Sequence, residues 1–233
     1  MNVLEKAISK GQNLLSEYES KQILSAYKIP IVKEILVNND KDFIAALKEI
    51  GYPIVLKGCS PQIIHKTEKN LIKLDLTNKD QAMQAYDEII DGSDGEKTVI
   101  VQEMIKGSRE FLAGFTRDSQ FGPTVIFGLG GIFAEILKDI SFRMAPIEKK
   151  DAFDMMHEIK GYKMLEAVRG LEKVDIDILA DILISVGKIG FENKSIKEID
   201  INPLIISGKK PIAVDALVIL ESISTADDTK KGC

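Results

Sequence analysis

Apolar and polar residues alternate along the chain in two rhythms, a period near 3.6 that marks amphipathic helices and a period of 2 that marks strands. Ser16 followed by Glu19 is a capping-box signal opening a helix to about Tyr27, which Ile29-Pro30 ends. IVKEILV at 31–37 then reads as a strand, 39–50 as a helix, and IVLK at 54–57 as a buried strand that ends in a lysine. After a loop over 58–70, LIKLDL at 71–76 alternates as a strand should, and 78–91 returns to helix. Glycine, aspartate and serine cluster in DGSDGEK at 91–97, which marks a boundary or a flexible turn. Beyond it TVIVQEMI, EFLAGFT, PTVIFG and, after a glycine turn, GIFAEILKDI follow in quick succession as four strands of an antiparallel sheet. Helical patterns occupy 148–159 and 175–189, and two last strands, IKEIDINPLII and IAVDAL, flank the turn SGKK. The tail STADDTKKGC is polar and frayed. Helices and strands mixed in this way predict an α/β or α+β protein and exclude a bundle or a sandwich.

The chain has 233 residues, of which 45% are apolar and 29% charged, ordinary for a globular protein of one large or two small domains. Its 31 basic and 36 acidic residues are interspersed, with a net charge of -5, so no basic footprint for nucleic acid exists. Cys59 and Cys233 have no spacing that suggests zinc or a disulfide framework. The first residues are charged throughout, without the apolar stretch of a signal peptide, and no apolar run approaches the ~18 residues that span a bilayer. A cytosolic, reduced protein is expected.

Three clusters carry candidate chemistry. Lys57 ends a strand and is followed by a loop with His65, Lys66, Thr67 and Glu68. A lysine there reaches a phosphate as a point charge, and a neutral imidazole accepts a phosphoryl group; a surface lysine and a loop histidine would look the same. FGLGG at 127–131, with Gly128, Gly130 and Gly131, permits close approach of backbone N–H groups to phosphate oxygens, though glycine turns between strands are common. Nearby Glu135, Asp139 and Arg143 are spaced so that the four-apart pairs share a face if their segment is helical; a solvated charged face would look the same. Asp200 and Asn202 lie two apart on one strand, and a paired strand can bring Asp215 alongside. Hard oxygens converging beside phosphates are what Mg²⁺ uses, whereas Asn202-Pro203 alone could simply initiate a turn. Glu103, at the end of VQEMI, and Glu110 are available to hydrogen-bond an adenosine.

The order of these features is more specific than any one of them. KGCSPQIIHKTE, FGPTVIFGLGGIFAEILKDISFRMAPI, EIKGY and EIDINPL with AVDA resemble the beta subunit of ADP-forming acetyl-CoA synthetase, from about Ser16 to Leu220. The resemblance implies an α+β, ATP-grasp fold, with a nucleotide held between two subdomains. These are expected at 1–97, with a mobile histidine loop near 58–70, and at 98–223, with the tail at 224–233 flexible. It implies that His65 is a phosphoryl relay, that Lys57 binds nucleotide phosphate, and that Glu103 and Glu110 bind adenosine. Asn202 and Asp215 become Mg²⁺ ligands with Asp200 alongside, and ADP or ATP is the substrate nucleotide. A carboxylate should orient the imidazole and stabilise its cation; both Glu68 and Asp200 remain open. The G-x-G-x-x-G pattern of a CoA-binding partner is absent from the chain, so a CoA-binding alpha subunit in an α2β2 assembly is implied. One departure is that Lys69, Asn70 and Leu71 stand where the family has two glycines, and Leu71 does not tolerate left-handed φ. An ATP-grasp ligase that forms an acyl phosphate directly, and a nucleotide-sensing subunit without turnover, are the alternatives.

Overall fold

The computed structural model describes residues 3–59, 71–93, 97–131, 136–167 and 170–221. Among the described residues there are two antiparallel sheets, each with its own apolar core.

The first sheet has the order β1-β4-β2-β3, with β1 at Glu34–Val37, β2 at Ile54–Gly58, β3 at Ile72–Leu76 and β4 at Val99–Glu103. Helices α3 (Asp40–Ile50) and α4 (Lys79–Gly92) cover it, each opened by an asparagine whose side chain accepts an N–H three residues on. Phe43 of α3 stacks on Tyr86 of α4 with centroids 4.1 Å apart, and both pack on Leu56 and Val101. Leu71 is buried at 1% exposure in this core, and its carbonyl accepts from Gly58 N at 2.8 Å, so the leucine fills space between β2 and α4.

The second sheet runs β10-β8-β5-β6-β7, from β10 (Leu217–Leu220) and β8 (Ile196–Ser207) through β5 (Glu110–Asp118) and β6 (Gly122–Leu129) to β7 (Ile140–Met144). Strand β9 (Lys210–Ala213) pairs with the far end of β8. Helices α5 (Lys149–Glu158) and α6 (Ile176–Glu192) pack with one face of this sheet, joined by a 3-10 turn at Lys160–Leu165. The core holds Phe111, Phe115 and Phe127 together with Leu183 and Val186 of α6.

Helices α1 (Val3–Ser9) and α2 (Glu17–Ala26) come first in the chain, yet they bury Ala7 and Leu24, and the residues flanking α2 bury Leu15 and Ile29, in the second core. The capping box read at Ser16 forms as expected: Ser16 Oγ accepts from Glu19 N and Ser16 N donates to Glu19 Oε2 at 2.9 Å. The chain thus begins on the second sheet, builds the first, and returns. A division at 97–98 does not follow the sheets, because β4 is an inner strand of the first one, hydrogen-bonded to β1 and β2. Its apolar run identifies a strand buried on both faces but not which neighbours it takes. Two further expectations are corrected. Of GIFAEILKDI, expected as a strand, the described residues Ile136 and Leu137 are helical and the strand starts only at Ile140. IAVDAL is not one strand but the end of β9, a break carrying Asp215, and the start of β10.

Candidate functional site

A cleft of about 490 Å³ separates the two sheets. Val55, Ile72 and Leu74 line it from the first sheet and Ile205 from the second, while Lys57, Glu110 and Asp215 bring charge to it. An apolar slot with a few convergent polar groups is the usual form of a small-molecule site.

Lys57 is buried at 5% exposure near the end of β2. Its Nζ donates to Glu17 Oε1 at 2.7 Å and to the Val214 carbonyl at 2.8 Å, and stands 3.7 Å from Asp215 Oδ2. Burial pulls its pKa down, but the charges of Glu17 and Asp215 outweigh that and hold it above the ordinary lysine value. Lys21, on α2, also donates to Glu17 Oε1 and to Gln102 Oε1, and forms an ion pair with Glu34. Burial pushes the Glu34 carboxyl above the usual range despite Lys21 beside it. Glu17, Lys21, Glu34 and Gln102 were not singled out in the sequence. Their one signal was the Glu17/Lys21 spacing of four, which on most helices marks a solvated pair.

Strand β8 turns Ile199 and Ile201 into the core and leaves Glu198, Asp200 and Asn202 on its other face. The pairing of β8 with β5 shifts between Ile201 and Leu204, so Asn202 and Pro203 form an irregularity there. Gly131 N donates to Asn202 Oδ1 at 2.9 Å, which fixes the orientation of that amide. The Asp200 carboxyl is pushed up to about 6, first by burial and then by the charges of Glu198 and Asp215. Asp215 Oδ1 accepts from Ala216 N at 2.8 Å.

The expected site residues therefore fall into groups. Lys57 and Asp215 come together across the cleft, with Asp200 near enough to Asp215 for their charges to interact, and Glu110, Gly131 and Asn202 form a second set. Gly131 has φ +58, and a Cβ there would overlap Glu110 Oε2; at Gly130 it would overlap the Phe111 backbone. The amides of both glycines are spoken for, Gly130 N by the Glu110 carbonyl at 2.9 Å and Gly131 N by Asn202, so their part is close packing around Glu110 and Asn202. Gly128 lies within β6 between Leu112 and Ile140. Glu103 is not brought into the cleft: its Oε1 accepts from Lys33 N at 2.9 Å, and the alternate residues Gln102 and Met104 face the ligand space instead. Asp139 is buried and accepts from Lys160 N and Gly161 N, capping the 3-10 turn, and Arg143 pairs with Glu158. His65, Glu68 and Glu135 lie outside the described residues.

Among the described residues no group of three or more His, Cys, Asp or Glu side chains is placed to hold a metal ion, and no helix is long and apolar enough to cross a membrane. Asn202 Oδ1 and the Asp215 carboxylate are hard oxygen donors and fit Mg²⁺, which takes one or two protein carboxylates and completes its shell with water and phosphate.

A family model described as an ATP-grasp domain matches residues 6–220. The ADP-forming acetate–CoA ligase I subunit beta of Pyrococcus furiosus is 44% identical over 224 residues, which span 94% of this chain and 96% of that one. A solved structure of the dinucleotide-forming acetyl-coenzyme A synthetase 1 of Ca. Korarchaeum cryptofilum, in complex with coenzyme A, Ca-AMPCP and HgCl+, superposes with a TM-score of 0.89 at 41% identity, covering 94% of this chain and 98% of its own. A further structure of that enzyme holds coenzyme A and Mg-AMPPCP, with a phosphohistidine segment pointing towards the nucleotide binding site; its TM-score is 0.84 at 42% identity, with the same two coverages of 94% and 98%.

Proposed function

Since the chain belongs to the ATP-grasp family and, within it, to the beta subunits of ADP-forming acetate–CoA ligases, we propose that it is the nucleotide-binding subunit of an ADP-forming acyl-CoA synthetase. The complete reaction takes acyl-CoA, phosphate and ADP to acid, CoA and ATP, reversibly. A CoA-binding alpha subunit, paired with this chain as α2β2, forms the acyl phosphate and the first phosphohistidine. His65 then accepts the phosphoryl group and passes it to ADP.

The observation that carries this reading is the cleft, with Lys57 on one wall and Asp215 opposite at 3.7 Å. Phosphoryl transfer asks mainly for positioning and for charge neutralisation on the equatorial oxygens. The apolar side chains of Val55, Leu74 and Ile205 enclose the base, and Lys57 meets the phosphates. Glu110 accepts from the nucleoside. Asn202 and Asp215 would hold Mg²⁺, which would neutralise negative charge on the phosphates. The Asp200 carboxylate, or Glu68, holds the proton on the far nitrogen of His65, so that the attacking nitrogen stays unprotonated. A phosphoramidate keeps the group activated for ADP, where a phosphate ester would not.

The test labels the complex with acyl-CoA and radioactive phosphate. Wild type should carry acid-labile label on both subunits, and His65→Ala on the alpha subunit alone, with ATP formation abolished. His157 is the control, an exposed residue in the last turn of α5 whose Nδ1 lies 2.8 Å from the Phe153 carbonyl, and His157→Ala should behave as wild type. Unimpaired ATP synthesis by His65→Ala would sink the relay.

A further inference from the structure

Lys57 rises from the first sheet, whereas Asn202 and Asp215 belong to the second, so the distance between the phosphate-binding cation and the Mg²⁺ ligands has to be set across the cleft. Two residues one helical turn apart on α2 span that gap. Glu17 Oε1 accepts from Lys57 Nζ at 2.7 Å and from Lys21 Nζ at 2.7 Å. The Val214 carbonyl, next to Asp215, accepts from the same two ammonium groups at 2.8 and 3.3 Å. Two lysines therefore share two acceptors. Lys21 is fully buried at 0% exposure, does not line the cleft, and is held further by Gln102 Oε1 at 3.0 Å and by Glu34.

Helix α2 is fastened to the second sheet, through Leu24 in the core and through Ser20 Oγ, which accepts from Val218 N at 3.1 Å. Glu17 thus carries the frame of the second sheet to a lysine of the first. A buried ion-pair cluster is a poor way to add stability, since apolar side chains of equal volume do as well or better. Its distinctive property is to hold charges in one geometry.

We propose that Glu17, anchored by Lys21, is a positioning residue for the nucleotide phosphates. Resting on the reading of the cleft as a nucleotide site, it fixes the Lys57 ammonium at a set distance from Asp215 and leaves one of the three N–H bonds of that ammonium for a phosphate oxygen. Without the charge of Glu17, Lys57 turns to Asp215, which takes the lysine from the phosphates and competes with Mg²⁺ for its ligand.

A calorimetric double-mutant cycle on the full chain decides it, with wild type, Glu17→Gln, Lys57→Met and the double variant titrated with MgADP and with adenosine. Glu17→Gln should weaken MgADP roughly tenfold, the effect of one weakened charge-assisted hydrogen bond. Adenosine, which has no phosphate, should change by less than about twofold, and Glu17→Gln should add less than about twofold in the Lys57→Met background. An equal loss for adenosine, the same factor in both backgrounds, or unchanged MgADP affinity in a cooperatively melting Glu17→Gln overturns the proposal. If Glu17→Gln does not fold, Lys21→Met takes its place, with the same pattern expected and unchanged MgADP affinity again overturning it. A wild type that binds neither ligand removes the nucleotide reading itself, an outcome distinct from a wild type that binds and a Glu17 variant that binds equally.

Discussion

At neutral pH the Asp200 carboxyl, pushed up to about 6 by burial and by Glu198 and Asp215, is ionised in surroundings that resist its charge. In the unfolded chain the same group titrates near 3.8. Between these values the folded state holds more protons than the unfolded state, so this residue makes stability fall as pH rises from about 4 to above 6. Asp200→Asn keeps the shape and removes the charge. It should be more stable than wild type at pH 7.5, by on the order of 1–3 kcal/mol, and equal to it near pH 4. It should also lose at least roughly tenfold in turnover, if Asp200 orients the histidine. Urea unfolding of both proteins at the two pH values checks the first part; a pH-independent difference refutes it. At this scale the position of Lys57 near a strand end, and of Asp200 and Asn202 on one face of one strand, was legible in the sequence, because such spacings constrain direction locally. The Glu103 side chain accepts from Lys33 N, on the face that the alternation of β4 sets opposite Gln102 and Met104. Glu17 and Lys21 were invisible because nothing in an i,i+4 pair says that its face is buried.

Elements follow local chemistry, and most of them could be read for that reason. Asn39, Asn78 and Asp175 each cap a helix through a side-chain oxygen three residues before the N–H that it accepts, and the expected helices begin at them. Sheet membership is decided by long-range pairing, so β4 was assigned to the wrong sheet and α2 was read as part of the first subdomain. The contact between α6 and β5 shows how such pairing is enforced. Gly190 of α6 lies against the fully buried Phe115 ring, and a Cβ there would overlap the ring atoms. Alanine in place of glycine gains about 1 kcal/mol of helix propensity, but overpacking a rigid core costs about 1–3 kcal/mol. Overpacking should win, because the ring is enclosed and cannot yield. Gly190→Ala is expected to lower stability by about 1–2 kcal/mol, whereas Gly92→Ala, in α4 with only an ordinary 3.5 Å contact to Leu71, should be neutral or slightly stabilising. Chemical denaturation of the two variants side by side tests the comparison, and a Gly190→Ala as stable as wild type defeats it.

On the scale of the whole molecule, two cores meet across a cleft whose walls are tied by Lys57 and Lys21 to Glu17, Gln102 and the Val214 carbonyl. A ligand in that cleft touches both sheets, so its binding energy resists the separation of the cores as well as the unfolding of either. Binding to the folded state alone contributes about 2.7 kcal/mol when the ligand is at 100 times its Kd. For a chain of this size 1 kcal/mol moves Tm by about 2–4 °C, so MgADP at that excess should raise Tm by roughly 5–10 °C. ADP without Mg²⁺ should raise it less, because the charge that Asp215 and the phosphates share is then uncompensated. Asp215→Ala and Asn202→Ala are the decisive variants. If these side chains hold the cation, both should melt cooperatively near the wild-type temperature without ligand, and both should show the same smaller shift with ADP whether or not Mg²⁺ is present. If they only shape the backbone around Pro203 and β10, both should lose stability without ligand and keep the full Mg²⁺-dependent increment. Thermal melts of the three proteins in ADP, with Mg²⁺ and with chelator, separate the two cases, and an intact Mg²⁺ increment in both variants would remove Asn202 and Asp215 from the site.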